Sequence, residues 1–316
     1  MGGMPTYLVT GGAGFIGSHI AAALAARGDR VRVLDDLSSG RLENLAGLGE
    51  ALELVRGSLC DPAACRAAVA GVAGIFHEAA QVSVPRSIED PLASYQVNVL
   101  GTLNLLEAAR AARVGRVVFA ASSAAYGNSE TLPKVESMLP QPLSPYASGK
   151  LAGEQLLRAY AASYGMRTIS LRYFNVFGPR QADDSPYTGV IAIFVRALLR
   201  GEAPVIYGDG LQSRDFTYVS NVVEANLAAM ARDLDEDGAV INVGSGERIT
   251  LNELYDALSV ELGVRIEVRH APARTGDVRD SLASVEKARA LLGYVPRVGW
   301  REGLQRTVAW YRERAR

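Results

Sequence analysis

The chain has 316 residues, 48% of them hydrophobic, and a formal net charge of −1. That length supports one large α/β domain or two smaller ones, and a near-neutral chain without a basic run excludes non-specific nucleic-acid binding as a main role. Cys60 and Cys65 give neither a disulfide framework nor zinc spacing, so no metal is expected; no apolar run approaches the ~20 residues of a membrane span, and without a signal-type N-terminus a cytoplasmic protein is expected.

Tyr7-Leu8-Val9-Thr10 is a short apolar run ended by Gly11 and reads as a buried strand. Gly11-Gly12-Ala13-Gly14-Phe15-Ile16-Gly17 follows, and Ser18 to Arg27 reads as a helix. A Gly-x-Gly-x-x-Gly spacing between strand and helix fits a pyrophosphate: the glycines allow a tight turn and close backbone approach, and the helix start offers free amides. The next strand, Arg30 to Leu34, ends in Asp35-Asp36, and Asp35 lies 18 residues past Gly17. A carboxylate there accepts from adenosine ribose hydroxyls and repels a 2′-phosphate, which favours NAD over NADP.

Alternation continues with strand Leu52 to Val55, helix Ala63 to Val69 and strand Gly74 to Phe76. The last ends in His77-Glu78-Ala79-Ala80, where small residues suit a flat ligand and His77 reads as a structural histidine. Pro91 to Ala112 is expected to be helical, with Asn98 near its middle. Val117 to Ala121 forms a strand that delivers Ser122-Ser123. Pro142 and Pro145 hold the next approach extended, and a helix is expected from Tyr146 to about Tyr164. Tyr146 and Lys150 share a face of it. A cation beside a phenol favours the phenolate, so this pair is a plausible proton-transfer device. Thr168 to Arg172 is the sixth strand. Strands separated by helices predict a Rossmann-type, doubly wound parallel α/β sheet, with ligands beyond the C-terminal strand ends.

From Phe174 the pattern changes. Gly178-Pro179-Arg180, Ser185-Pro186-Tyr187 and Gly208-Asp209-Gly210 are loop signals. Helices are expected at Ile191 to Leu199, Val222 to Ala231, Leu251 to Leu262 and Trp300 to Arg314, without regular alternation. A smaller α/β substrate domain is therefore expected from residues 176–216 and 246–316. Residues 1–175 and 217–245, with Val240 to Val243 returning to the sheet, form the nucleotide-binding domain. A few of Arg172, Arg180, Arg196, Arg214, Arg274 and Arg279 are candidates to clamp a diphosphate.

Ser122, Tyr146 and Lys150 behind a dinucleotide loop resemble the extended short-chain dehydrogenase/reductase superfamily. Arg172-Tyr173-Phe174-Asn175-Val176-Phe177-Gly178, Gln212-Ser213-Arg214-Asp215-Phe216 and Gly276-Asp277-Val278-Arg279 resemble segments of its nucleotide-sugar 4-epimerases. Ser83-Val84-Pro85-Arg86-Ser87 and Leu132-Pro133-Lys134-Val135-Glu136 are similar to the UDP-N-acetylglucosamine 4-epimerase branch. The resemblance implies that Tyr146 takes the proton of the sugar 4-hydroxyl while C4 gives a hydride to NAD. A 4-keto sugar forms, turns over in the pocket, and takes the hydride back on its other face. Lys150 would hold the nicotinamide ribose and depress the tyrosine pKa, and Ser122 would bond the same oxygen.

Implied cofactor contacts are Gly11, Gly14, Phe15, Ile16, Gly17, Asp35, Asp36, Ser39, Gly40, Ser58, Leu59, Ala79, Ala80, Gln81, Asn98, Ala120 and Tyr173, besides Tyr146 and Lys150. On the substrate side, Asn175 would touch the phosphates or sugar. Arg214 and Arg274 would clamp the diphosphate, Asp277 would meet the uridine ribose, and Tyr207 would stack near uracil. Ser83, Arg86, Ser122, Ser123, Val190 and Ser281 complete the implied substrate set. Ser281 occupies a position that is a bulky tyrosine in glucose-restricted relatives and small in those accepting N-acetyl sugars. The resemblance also implies a homodimer, with Leu103, Leu106, Leu156 and Tyr160 in a four-helix interface. Three departures stand out. Ser58 replaces an aspartate of many relatives, Ala124 replaces a third serine, and Ala124-Ala125 replace the Asp-Glu pair of 4,6-dehydratases. The alternatives are a uronate-type epimerase, a decarboxylase or dehydratase on the same scaffold, and a non-catalytic NAD-sensing regulator.

Overall fold

Seven parallel strands form the central sheet of the computed structural model, which describes residues 4–182, 189–234, 236–272 and 278–314. They are β1 (Thr6–Thr10), β2 (Arg30–Asp35), β3 (Leu52–Arg56), β4 (Gly74–His77), β5 (Val117–Ser122), β6 (Thr168–Tyr173) and β7 (Ala239–Val243). Their order in space is β3-β2-β1-β4-β5-β6-β7, with every neighbour pair parallel. The order reverses between β1 and β4, the point at which a doubly wound sheet opens its ligand crevice. The helices are α1 (Phe15–Ala26), α2 (Pro62–Val69), α3 (Val84–Glu89), α4 (Pro91–Tyr95), α5 (Thr102–Ala111), α6 (Pro145–Tyr164), α7 (Val190–Leu199), α8 (Val219–Ala231), α9 (Leu251–Leu262), α10 (Glu286–Leu292) and α11 (Trp300–Arg314).

Strands buried on both faces need apolar side chains at consecutive positions, and adjacent residues point to opposite faces. Val9, Val33 and Phe76 accordingly join the layer under α1 and α8, while Leu8, Leu34 and Ile75 join the layer under α2, α5 and α6. A separate core holds Phe177, Phe194, Ile206, Leu254, Leu258, Leu304 and Val308 from the later helices and loops. Ala288, Leu292 and Tyr294 fall in the range expected to form the smaller unit, yet they pack with the large sheet's first layer. Short ladders brace the second core: 176–177 with 217–218, 205–207 with 269–271, and 213–214 with 249–250.

Several elements depart from the reading of the sequence. α1 begins at Phe15 rather than Ser18, because the turn is complete at Gly14, its N-cap. Between α4 and α5 the helix widens into π-turns over Gln96–Gly101. A 3₁₀ stretch at Leu42–Ala51, α3 and α10 carry short patterns that period counting passes over. The four residues expected at a dimer face pack on the sheet to different degrees. Leu106 and Tyr160 are buried in its second layer, and Leu103 and Leu156 are partly buried against it. No helix among the described residues is long and apolar enough to cross a membrane.

Candidate active site

β1 runs directly into the glycine turn. Gly11 has φ +64°, and a Cβ there would stand 2.8 Å from Ala79 of the loop after β4. A Cβ on Gly17 would stand 2.3 Å from the Gly11 carbonyl oxygen, so loop and helix meet only without side chains. Gly14 caps α1 with no side-chain hydrogen bond. The first helical amides, beginning at Phe15 and Ile16, are thereby left without a side-chain cap at the positive dipole end, where an anion is favoured.

Asp35 closes β2 and is buried. Its Oδ2 accepts from the Ala13 amide at 2.9 Å and its Oδ1 from the Leu37 amide at 2.8 Å. Burial raises its pKa against the pull of those amides. Two oxygens with one amide each retain capacity for hydroxyl donors. Gly40 lies against this carboxylate, where a Cβ would stand 2.8 Å from Oδ1. Asp36 and Ser39 are exposed, and Asp36 pins its own turn by accepting from the Ser38 amide. Ser58 likewise accepts locally, from the Cys60 amide, while Leu59 is buried. A glycine turn on a helix end, with a buried carboxylate at the next strand, fits a dinucleotide with a free 2′-hydroxyl.

The loop after β4 is held from two sides. Ala79 donates to the Thr10 hydroxyl, and Gln81 exchanges backbone bonds of 2.9 and 3.0 Å with the Asn98 amide. Asn98 is buried in the π-turn. Its side chain shapes the Ala79-Ala80-Gln81 backbone, a positioning task that its motif did not reveal. His77 is the structural histidine expected. It is bonded to the hydroxyls of Thr10 and Thr102, and burial drives its pKa down to about 3, so the ring stays neutral.

α6 starts at Pro145, whose missing N–H costs nothing in a first helical turn. Ser144 is its N-cap, accepting from the Ala147 amide. The Tyr146 amide donates to Ser87 of α3 at 3.1 Å, which fixes where the phenol leaves the helix. One turn on, Lys150 is buried, with Nζ donating to the Ala120 carbonyl at 2.8 Å and lying 4.9 Å from the Phe119 ring centroid. Ser122, at the end of β5, accepts from the Ala124 amide and faces Tyr146. Burial raises the Tyr146 pKa, and the Ser122 hydroxyl opposes that rise. The expected depression of the phenol's pKa by Lys150 is not seen: the ammonium donates to a strand carbonyl, and burial sets the direction at Tyr146.

Glu78 was not singled out in the sequence. It accepts from the Tyr173 hydroxyl at 2.9 Å, and Tyr173 in turn accepts from the Asn226 amide at 2.8 Å. Burial raises the Glu78 pKa and lowers that of Lys150, each held back by the other's charge.

On the other wall, Ser281 is buried, with its hydroxyl 3.4 Å from Asn175 Oδ1 and its amide bonded to the Ser213 carbonyl. Asp215 organises this wall. It accepts from the amides of Ser245, Gly246 and Ala283 and from the hydroxyls of Thr217 and Ser245. Arg214 donates to the carbonyls of Ser213 and Arg279, and the Tyr207 carbonyl accepts from Gln212. Ser83 caps α3, Arg86 is exposed on it, and Val190 opens α7. Arg274 and Asp277 lie outside the described residues. Arg172 is no clamp: it makes a buried bidentate pair with Glu154 and stacks 4.7 Å over Tyr126.

Residues 7–244 match the model of the NAD dependent epimerase/dehydratase family. A UDP-glucose 4-epimerase of Mycolicibacterium smegmatis is 41% identical, over 98% of this chain and 99% of its own. A UDP-N-acetylglucosamine 4-epimerase of Methanobrevibacter ruminantium, solved with UDP-N-acetylmuramic acid, superposes with a TM-score of 0.94 at 40% identity, covering 98% and 99% of the two chains. The UDP-glucose 4-epimerase of Thermus thermophilus, solved with NAD, gives 0.89 at 41% identity over 97% and 99%.

Proposed function

The chain belongs to the NAD-dependent epimerase/dehydratase family and uses NAD, and from that premise we propose that it inverts C4 of a UDP-hexose through a transient 4-keto sugar. The observation that carries the reading is the convergence of Tyr146, Ser122 and Lys150 at the strand ends, beside the glycine turn. NAD supplies the hydride acceptor and donor for C4. The glycine turn and α1 would hold its diphosphate, and Asp35 its adenosine ribose. Tyr146 is the group placed to take the 4-hydroxyl proton, with Ser122 fixing the oxygen at hydrogen-bond range. Lys150 would hold the nicotinamide ribose, its ammonium fixed on the Ala120 carbonyl at the strand end. Because the proton and hydride both return, the reaction is an isomerisation with no net redox change.

UDP-N-acetylglucosamine/UDP-N-acetylgalactosamine and UDP-glucose/UDP-galactose are the proposed substrate pairs, with the N-acetylated pair favoured by the small Ser281 on the sugar wall. Elimination of the 6-hydroxyl is disfavoured, since Ala124 and Ala125 supply no acid or base after Ser122-Ser123. Incubation with a panel of UDP-hexoses and UDP-uronates, read by proton NMR, tests this. C4 epimers of the UDP-hexoses should appear without water loss, gas release or accumulated reduced cofactor. A dehydrated or decarboxylated product, or no turnover of any member, overturns the proposal.

A further inference from the structure

β7 is an open edge of the central sheet, and Asn242 lies near its end, paired in register with Arg172 of β6. A buried amide that meets no strand must find another acceptor. The Asn242 amide donates to Glu136 Oε1 at 2.8 Å. Its side chain is fully buried and works in two directions. Oδ1 accepts from the Tyr126 hydroxyl at 2.7 Å, while Nδ2 donates to the Lys134 carbonyl at 2.9 Å and the Ser284 carbonyl at 3.4 Å. Carbonyls only accept, so the side-chain amide is seated one way round.

Each arm leads to a different side of the pocket. Tyr126 ends the short turn that starts at Ser123, directly after Ser122. The Arg172 guanidinium stacks 4.7 Å from its ring centroid, and Arg172 also grips Glu154, one turn past Lys150 on α6. This arm thus reaches the Ser122 turn and the helix of Tyr146. On the other arm, the Lys134 amide donates to the Leu282 carbonyl at 2.7 Å, and the Ser284 amide donates to the Lys134 carbonyl at 2.9 Å. That short parallel pairing, centred on Lys134 and Ala283, holds the segment that begins with Ser281. We propose that Asn242 is a positioning residue: it joins the turn behind Ser122 to the wall that carries Ser281, and so sets how far the sugar wall stands from the proton-transfer groups. What that spacing serves rests on the epimerase reading; the joint itself does not.

Asn242→Asp keeps the acceptor for Tyr126 but turns an oxygen on two carbonyls. In the NAD-loaded full chain, hydrogen exchange read by mass spectrometry should quicken at least about tenfold in peptides spanning 281–284, since buried polar groups have lost their partner. Glu136→Ala, at a partly exposed position, frees the Asn242 amide and should move the same peptides the same way. Glu136→Gln keeps an acceptor there and should exchange like the parent. Tyr126→Phe cuts the other arm, so it should quicken 123–127 and leave 281–284 near the parent's rate. A general loss of stability would instead quicken all these segments together. Unchanged exchange at 281–284 in both Asn242→Asp and Glu136→Ala overturns the joint, whether or not the chain is an epimerase. With UDP-hexoses, Asn242→Asp should lower the ratio of kcat/KM for the N-acetylated over the plain pair by at least about threefold. Tyr126→Phe should lower kcat and leave that ratio unmoved. A parent that turns over no UDP-hexose sinks the epimerase reading, and the exchange rates then decide on the joint. A ratio unchanged in Asn242→Asp beside quickened exchange removes Asn242 from placing the sugar wall.

Discussion

Tyr146 tests the chemistry at the scale of one oxygen atom. Its phenol is raised by burial, and its amide is tied to Ser87. Tyr146→Phe removes the oxygen while the ring and the backbone anchor stay. kcat should fall by at least about a hundredfold, in the range typical of a lost general base, with NAD and UDP affinities nearly unchanged. Near-full turnover of the variant refutes its role as acid and base. Ser281 tests selectivity in the same way. It is buried at the edge of Asn175, and its amide is fixed to Ser213. A tyrosine there must displace whatever the serine leaves room for, and overpacking costs about 1–3 kcal/mol. Ser281→Tyr should lower kcat/KM for the N-acetylated pair by at least about tenfold, or ~1.4 kcal/mol, and spare the plain hexoses. Equal loss for both pairs places the gate elsewhere.

α6 is the element on which the site depends, and its start is set by short-range chemistry. Ser144 caps the helix, Pro145 fills the first turn, and Gly165 ends it with φ 64°. Ser144→Ala removes one cap bond and should cost about 1 kcal/mol of stability, read as a lower denaturant midpoint at unchanged slope. Because Tyr146 lies two residues past the cap, kcat should fall with it; a stability loss with kcat untouched would show that α3 alone positions the phenol. The main strands and long helices were legible because burial on both faces leaves continuous apolar runs, and the glycine turn because its strand-and-helix context is local. Glu78 and Asp215 were not legible. Their partners, Tyr173 (itself held by Asn226) for one and Ser245, Gly246 and Ala283 for the other, are distant in sequence and meet only when the sheet closes. The π-turn at Gln96–Gly101 was hidden for another reason: one widened turn changes the helical period too little to read, yet it carries Asn98 to Gln81.

At the scale of the whole molecule, a group of exposed apolar side chains among the described residues lies outside the cores. Ile88 of α3, Leu92 and Tyr95 of α4 and Leu100 of the π-turn are exposed, Leu92 by 75%. Leu92, Tyr95 and Leu100 lie within residues 91–112, expected at a dimer interface, and Ile88 just before them, while of the residues expected there Leu106 and Tyr160 are buried against the sheet and Leu103 and Leu156 partly so. These side chains fall on neighbouring helices rather than scattered singly over the surface. A two-fold interface is self-complementary, so one such face suffices for a homodimer. A specific interface needs roughly 800 Å² from each partner, more than four side chains supply, so α6 flanking this helix must contribute too. The protein is therefore predicted to be a dimer at micromolar concentration by light scattering. Leu92→Glu with Leu100→Glu places two charges on each partner where burial of a leucine is worth about 1.5–3 kcal/mol. The double variant should weigh as a monomer and keep its far-ultraviolet circular dichroism, because neither side chain supports the core. A parent chain already monomeric, or a variant that stays dimeric, would move the interface off this face.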